Sequence, residues 1–173
     1  MVEVIKHKVD ENNNLIKKRF SSLSINKILL IQPPDSDKKI FNFKSAKRGR
    51  LWNYPPYGLG VLAKRIQDEK IEVEILNLNN EILKYIHNTN VSEDEFDFDN
   101  IWVESLKKKL NEFKPCFVGL TSMFSQSHEI TKQISEHIKS NNDKIVLGAG
   151  GVHITNSLVD HKTVDKFFNE MKF

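Results

Sequence analysis

The chain has 173 residues, 39% of them hydrophobic and 28% charged, which suffices for one hydrophobic core and is short for two. A formal charge of +3 is too small to mark a nucleic-acid binder, and no run of about 18 apolar residues is present to span a membrane. The single cysteine, Cys116, excludes an internal disulfide and any iron–sulfur or cysteine-based zinc site; the first residues lack the apolar stretch of a secretory signal, so the expected location is the cytoplasm.

In chain order, residues 1–24 read as a polar N-terminal extension. The segment suits either an ordered tail or a β-hairpin, Val2 to Val9 and Leu15 to Phe20, around the turn-prone Asp10-Glu11-Asn12-Asn13-Asn14. Residues 25–173 read as one α/β domain. Its first strand is Ile28 to Ile31, followed by Gln32-Pro33-Pro34 and a long loop to Tyr54-Pro55-Pro56-Tyr57-Gly58-Leu59-Gly60. Leu59, Leu62, Ala63 and Ile66 then repeat at helical spacing. A second strand is expected over Val73 to Leu78. The acidic run Ser92 to Asp99 precedes a helix marked by Trp102, Leu106, Leu110 and Phe113, and it suits a solvated helix cap better than a metal site. The third strand, Phe117 to Leu120, is followed by a helix carrying Ile130, Ile134 and Ile138, and the fourth is Ile145 to Leu147. A short helix near Ile154 to Val159 and a last strand from Val164 to Phe168 complete the pattern.

The near-continuous apolar strands are those of a sheet covered on both faces, and strands alternating with helices imply right-handed crossovers. The fold class expected is therefore α/β, a flavodoxin-like (Rossmann-like) doubly wound parallel sheet of about five strands with an N-terminal extension. In such sheets ligands bind beyond the carboxyl ends of the strands. The sequence places there the Pro33-Pro34 stop and a loop rich in Lys, Arg and aromatic residues, which reads as a binding element or a solvated insertion. Gly58 and Gly60 open the next helix, where backbone N–H groups can meet a phosphate or amide. Thr121 and Ser122 offer hydroxyls, one of Ser122 and Ser125 being able instead to cap the following helix. Gly150 and Gly151 admit a bulky group, and His153 on the same loop suits either ligand contact or a structural hydrogen bond. The other five histidines, His128 among them, read as surface or helix residues. Acidic residues for phosphoryl chemistry are absent from the first and third strand ends, no Walker lysine follows a glycine loop, and His153 occupies the place of the last glycine in a dinucleotide fingerprint.

Three segments in order, Ile28-Leu29-Leu30-Ile31-Gln32-Pro33-Pro34 with an Arg-containing loop and Pro55-Pro56-Tyr57-Gly58-Leu59-Gly60-Val61-Leu62-Ala63, Lys114 to Met123, and Val146 to His153, resemble the N-terminal cobalamin-binding domain of cobalamin-dependent radical SAM enzymes. The resemblance spans roughly residues 26–168. It implies a corrin across the carboxyl edge with its nucleotide tail between the loops. Thr121 and Ser122 would then hydrogen-bond the tail, Gly150 and Gly151 would leave room for it, and Pro33, Pro34 and Tyr57 would border the corrin; Gly58, Met123 and His153 join the same cofactor-binding set. Methionine-synthase-like relatives carry Asp-x-His-x-x-Gly after the first strand, whereas this chain has Asp35-Ser36-Asp37 and no nearby His. The resemblance therefore implies base-off cobalamin without a protein His ligand. The three-cysteine motif of the catalytic barrel is absent, so the chain would hold no iron–sulfur cluster and would not be catalytic alone. It is expected to serve as a domain or fragment that works with a radical SAM catalytic domain in cis or in trans. The alternative is a non-catalytic interaction module of the same fold that has lost the cofactor, its cleft plugged by Trp52 and Tyr54; a flavin- or nucleotide-binding enzyme is a third class.

Overall fold

The computed structural model describes residues 10–18, 21, 24–159, 167 and 169–171. Residues 10–18 are helical (α1), in place of the turn and second strand expected there; Val2 to Val9 lies outside the described residues. The domain proper contains β1 (Lys27–Gln32), α2 (Phe43–Lys47), α3 (Tyr57–Asp68), β2 (Glu72–Asn77), α4 (Leu78–Asn88), α5 (Phe98–Phe113), β3 (Phe117–Thr121), a 3₁₀ turn (Ser125–Ser127), α6 (His128–Asn141), β4 (Val146–Gly150) and α7 (Val152–Ser157).

The four strands form one parallel sheet in the order β2-β1-β3-β4. Alternation along β1 sends Leu29 and Ile31 to one face and Ile28 and Leu30 to the other, and all four are buried. On the first face α4, α5 and α6 deliver Ile82, Trp102, Leu106, Ile134 and Ile138 to the main core. On the second face, among the described residues, α3 alone covers the sheet, through Leu59 and Ala63 against Ile28 and Leu30. The doubly wound fold is thus present with unequal layers. The described sheet has four strands rather than about five, and Phe167, in the stretch expected to form the last strand, is helical and packs with Ile154 and Met171.

Local chemistry sets the element ends. Asn77 and Asp97 accept the N–H groups of Asn80 and Asn100, capping α4 and α5. Asn77 therefore ends β2, and Leu78, expected in the strand, opens a helix. The acidic run acts as a cap, as its charge pattern implies. The first part of the long loop after β1 packs against the acidic run, while residues 47–55 are exposed. Its Phe41 and Phe43 lie 4.9–5.6 Å from the rings of Phe96 and Phe98, and Lys38 and Lys44 pair with Asp99 and Glu93 at 3.2 Å. Lys47 Nζ donates to the Ile86 and Thr89 carbonyls at 2.8 Å, closing the C-terminal end of α4. The basic loop and the acidic run are two halves of one packed unit.

Candidate functional site

The parallel strands direct the β1–α2, β3–α6 and β4–α7 connections to one edge, so the expected site residues gather where the topology requires. Pro33 and Pro34 are buried, and the Asp35 N–H beyond them donates to Asn79 Oδ1 at 3.3 Å, which anchors the loop to α4. Burial raises the Asp35 carboxyl above its usual range, a hydrogen bond from Gln32 opposing it. Tyr57 stands 83% exposed at the start of α3, and Gly58 follows it in open space. The first helical hydrogen bond there runs from Gly60 N to Pro56 O, so the N–H groups of Gly58 and Leu59 precede the helical ladder.

A groove of about 320 Å³ runs from this edge down the sparsely covered face of the sheet. Leu59, Leu62 and Ile66 of α3 form one wall; Ile28, Leu30 and Phe117 form the floor. The opposite side rises from β3 and β4, where the register pairs Gly119 with Gly148 and Thr121 with Gly150. Two residues apart on each strand, these four share one face. Side chains at Gly119 and Gly148 would meet Leu30 Cδ2 and the tip of the Phe117 ring at 2.9 and 2.8 Å, so the glycines let the floor side chains lie close to the sheet. At Gly150 a Cβ would meet nothing within 4 Å, and the Thr121 hydroxyl has no hydrogen-bond partner among the described residues. The mouth of the groove is therefore open and carries a usable donor and acceptor.

Two expectations are corrected here. Ser122 is 1% exposed, and its Oγ lies 3.0 Å from Ser127 Oγ, which itself donates to Phe124 O at 2.7 Å. The Ser122 hydroxyl thus donates inward and does not face the groove, because residues 121 and 122 alternate across the sheet. Its N–H donates to Gly150 O and its carbonyl accepts from His153 N, tying the two loops together. Gly151 borders the groove but leaves no room in it: its φ is +104°, and a Cβ would lie 2.4 Å from Ser122 O. The glycine there is demanded by backbone contact, not by a ligand.

Met123 and Phe124, each about half exposed, project from the β3 loop, while Trp52 and Tyr54 stack on each other at 5.9 Å. Neither of that aromatic pair lines the groove; they stand 72% and 64% exposed. His153 Nε2 lies 3.0 Å from His128 Nδ1, and His128 Nε2 lies 3.0 Å from Glu170 Oε2. His128, expected as a surface or helix residue, thus contacts His153, and no local pattern links it to a residue 25 positions away. For both contacts to be hydrogen bonds, His128 donates to Glu170 from Nε2 and shares one proton with His153. Among the described residues no group of three or more His, Cys, Asp or Glu is placed to hold a metal ion.

Desolvation, then the neighbouring His128, holds the His153 pKa below the ordinary histidine value. A base whose pKa falls on folding takes up its proton more readily in the unfolded chain. Its contribution to stability is thus complete above about pH 6.5 and is lost as the pH falls through the window beneath. Melting temperatures measured from about pH 7.5 to about pH 5 should decline less steeply for His153→Gln than for the parent chain. Parallel profiles would contradict this assignment.

The B12 binding domain family matches residues 52–166, well over half of the chain. The chain belongs to the B12-binding domain family. Membership supports cobalamin as the ligand, and the match contains α3, Thr121, Gly150 and the floor residue Phe117. The match begins after β1, yet β1 lies at the centre of the B12-binding domain's sheet between β2 and β3. Among the curated proteins and the solved structures, none matches the chain. No helix among the described residues is long and apolar enough to cross a membrane.

The groove fits the group the family binds. A nucleotide tail needs a slot free of side chains, an apolar lining for its base, and a few polar atoms at the rim. The open position at Gly150 supplies the first, α3 and the floor the second, and Thr121 the third.

Proposed function

We propose that this domain holds cobalamin base-off, with the nucleotide tail in the groove between α3 and the β1–β3–β4 face and the corrin across the carboxyl edge. The observation that carries the reading is the groove itself, open at Gly150 and capped by the Thr121 hydroxyl, which has no hydrogen-bond partner among the described residues. Pro33, Pro34, Tyr57, Gly58 and Met123 border the corrin. Exposed Met123, Phe124 and Tyr57 supply apolar surface suited to a wide ring. No protein His ligates the cobalt. The loop from Pro33 to Tyr57 contains no histidine, and His153 Nε2 is engaged by His128. In this role the domain presents cobalamin to a radical SAM catalytic domain, in cis or in trans, for methyl transfer or related chemistry. The ordered resemblance of the three edge segments supports that pairing.

An interaction module with a plugged cleft is the weaker reading, since Trp52 and Tyr54 stack on one another outside the groove. The test is retention. Mixed with hydroxocobalamin and desalted, the protein fraction should carry a corrin spectrum shifted as for cobalamin whose base has left cobalt. A colourless fraction would refute the reading, and a base-on spectrum would refute the tail placement.

A further inference from the structure

We infer that a second cavity at the carboxyl edge takes an uncharged carboxamide of the corrin rim on His153 Nδ1, so that cobalamin uptake releases a proton. Glu170 and His128 are the positioning residues. The inference rests on the cobalamin reading above and adds to it a residue that recognises the ligand. Met123, Phe124, Ser125, Gln126, His153 and Asn156 line this open cavity of about 370 Å³. Met123 borders the corrin in the mode proposed above, so the periphery of the ring is the part that reaches the cavity. Among the described residues no Lys, Arg, Asp or Glu lines it, which suits an uncharged group better than an ion. The side chains of Ser125, Gln126 and Asn156, and His153 Nδ1, have no hydrogen-bond partner among the described residues.

The state of Nδ1 follows from the chain behind it. Glu170, ionised, only accepts, so His128 donates to it from Nε2 across 3.0 Å. His128 Nδ1 is then a lone pair, and the proton between the two rings comes from His153 Nε2, 3.0 Å away. A neutral imidazole carries one N–H, which leaves His153 Nδ1 as an acceptor. Any further proton on the pair, whichever ring then holds the charge, places an N–H at His153 Nδ1. The cavity thus offers an acceptor when the pair is neutral and a donor when it is cationic. A carboxamide donates to the first state; its oxygen would suit the second, but there the ring would bury a positive charge. Covering the edge removes water from His153, whose pKa burial already depresses. Binding therefore favours the unprotonated form, and affinity is complete above that pKa and falls as the pH drops through and below it. Of the other charged groups on the packed elements, Glu129 is engaged by Gln133 Nε2 at 3.3 Å, and Lys132 stands one turn along α6 from His128. The 3₁₀ turn carries none, α7 only His153, and the described residues 167 and 169–171 only Glu170. Asp35, at the same edge, is a carboxyl that burial drives toward its protonated form, so covering it takes up a proton and gives the opposite sign.

The experiment measures dissociation constants of the full chain for methylcobalamin, whose own base does not titrate in this range, from about pH 8 to about pH 5. Calorimetry in buffers of different ionisation enthalpy counts the protons exchanged at each pH. The parent chain should bind less tightly toward acid, by up to about tenfold per pH unit below the His153 titration, with release of up to about one proton. In His153→Gln, whose amide oxygen accepts at every pH, both dependences should vanish, while affinity at about pH 8 stays within about tenfold of the parent. Glu170→Gln removes the carboxylate that draws the added proton in, so the midpoint of the profile should move to lower pH. Binding without pH dependence or proton release overturns the inference and leaves the cobalamin reading intact. Proton release that persists in His153→Gln overturns it as well. A midpoint unmoved by Glu170→Gln overturns the positioning role. Failure to bind at any pH overturns the cobalamin reading, and the inference with it.

Discussion

Gly150→Leu should eliminate retention of cobalamin on desalting while leaving the melting temperature of the chain close to that of the parent. Gly150 ends β4 opposite Thr121, and nothing lies within 4 Å of the position a Cβ would take. A leucine there fits the strand conformation and its Cβ meets no atom of the described residues, so its effect on stability is that of a surface substitution, within about 0.5 kcal/mol. Its side chain fills the mouth of the groove. Forcing a ligand past such a group is disfavoured by about 1–3 kcal/mol or more, which corresponds to roughly ten- to hundredfold weaker binding. Retained corrin in the variant would mean that the tail enters elsewhere.

Gly151→Ala should do the reverse, lowering stability whether or not ligand is present. With φ at +104°, an L-residue is strained by about 1–3 kcal/mol from conformation alone. The Cβ would lie 2.4 Å from the Ser122 carbonyl oxygen, a backbone atom with little freedom to move. Overpacking of this kind adds a further destabilisation of about 1–3 kcal/mol. The same shift loosens the bonds from Ser122 N to Gly150 O and from His153 N to Ser122 O, which hold the two edge loops together. Urea denaturation of the apoprotein should show a clearly lower midpoint than for Gly150→Leu. Equal midpoints for the two variants would contradict the distinction drawn between neighbouring glycines.

That distinction marks where sequence reasoning reached and where it stopped. The strands of the sheet and the stripes on α3, α5 and α6 were legible because each follows a single period over several residues; Trp102, Leu106, Ile130, Ile134 and Ile138 are all buried as that periodicity implies. The N-terminal hairpin and last strand were less secure for the same reason, since short polar segments carry little periodic signal, and residues 10–18 and Phe167 are helical. Within the long loop, the aromatics looked like binding surface. They are instead half of a cluster completed by Phe96 and Phe98, a contact spanning more than fifty residues.

At the site, Thr121 and Gly150 were readable as a hydroxyl and a glycine at strand ends. Ser122 was misread because adjacent residues on a strand face opposite ways, and its partner Ser127 lies in the following turn. The pairing of Gly119 with Gly148 depends on strand register, which no local signal fixes. A period-two reading backwards from Thr121 and Gly150 would have placed both glycines on the groove face. The His128–His153 contact and the Asn79 anchor of the β1 loop depend on tertiary packing alone.

In the proposed binding mode the sheet-face groove takes up the nucleotide arm of the cofactor. Parallel titrations with cobalamin and with cobinamide, which keeps the corrin and lacks that arm, address it directly. Burial of a benzimidazole-sized apolar surface at about 25 cal/mol per Å² predicts cobalamin to bind at least about tenfold more tightly. Equal affinities for the two corrinoids would contradict it.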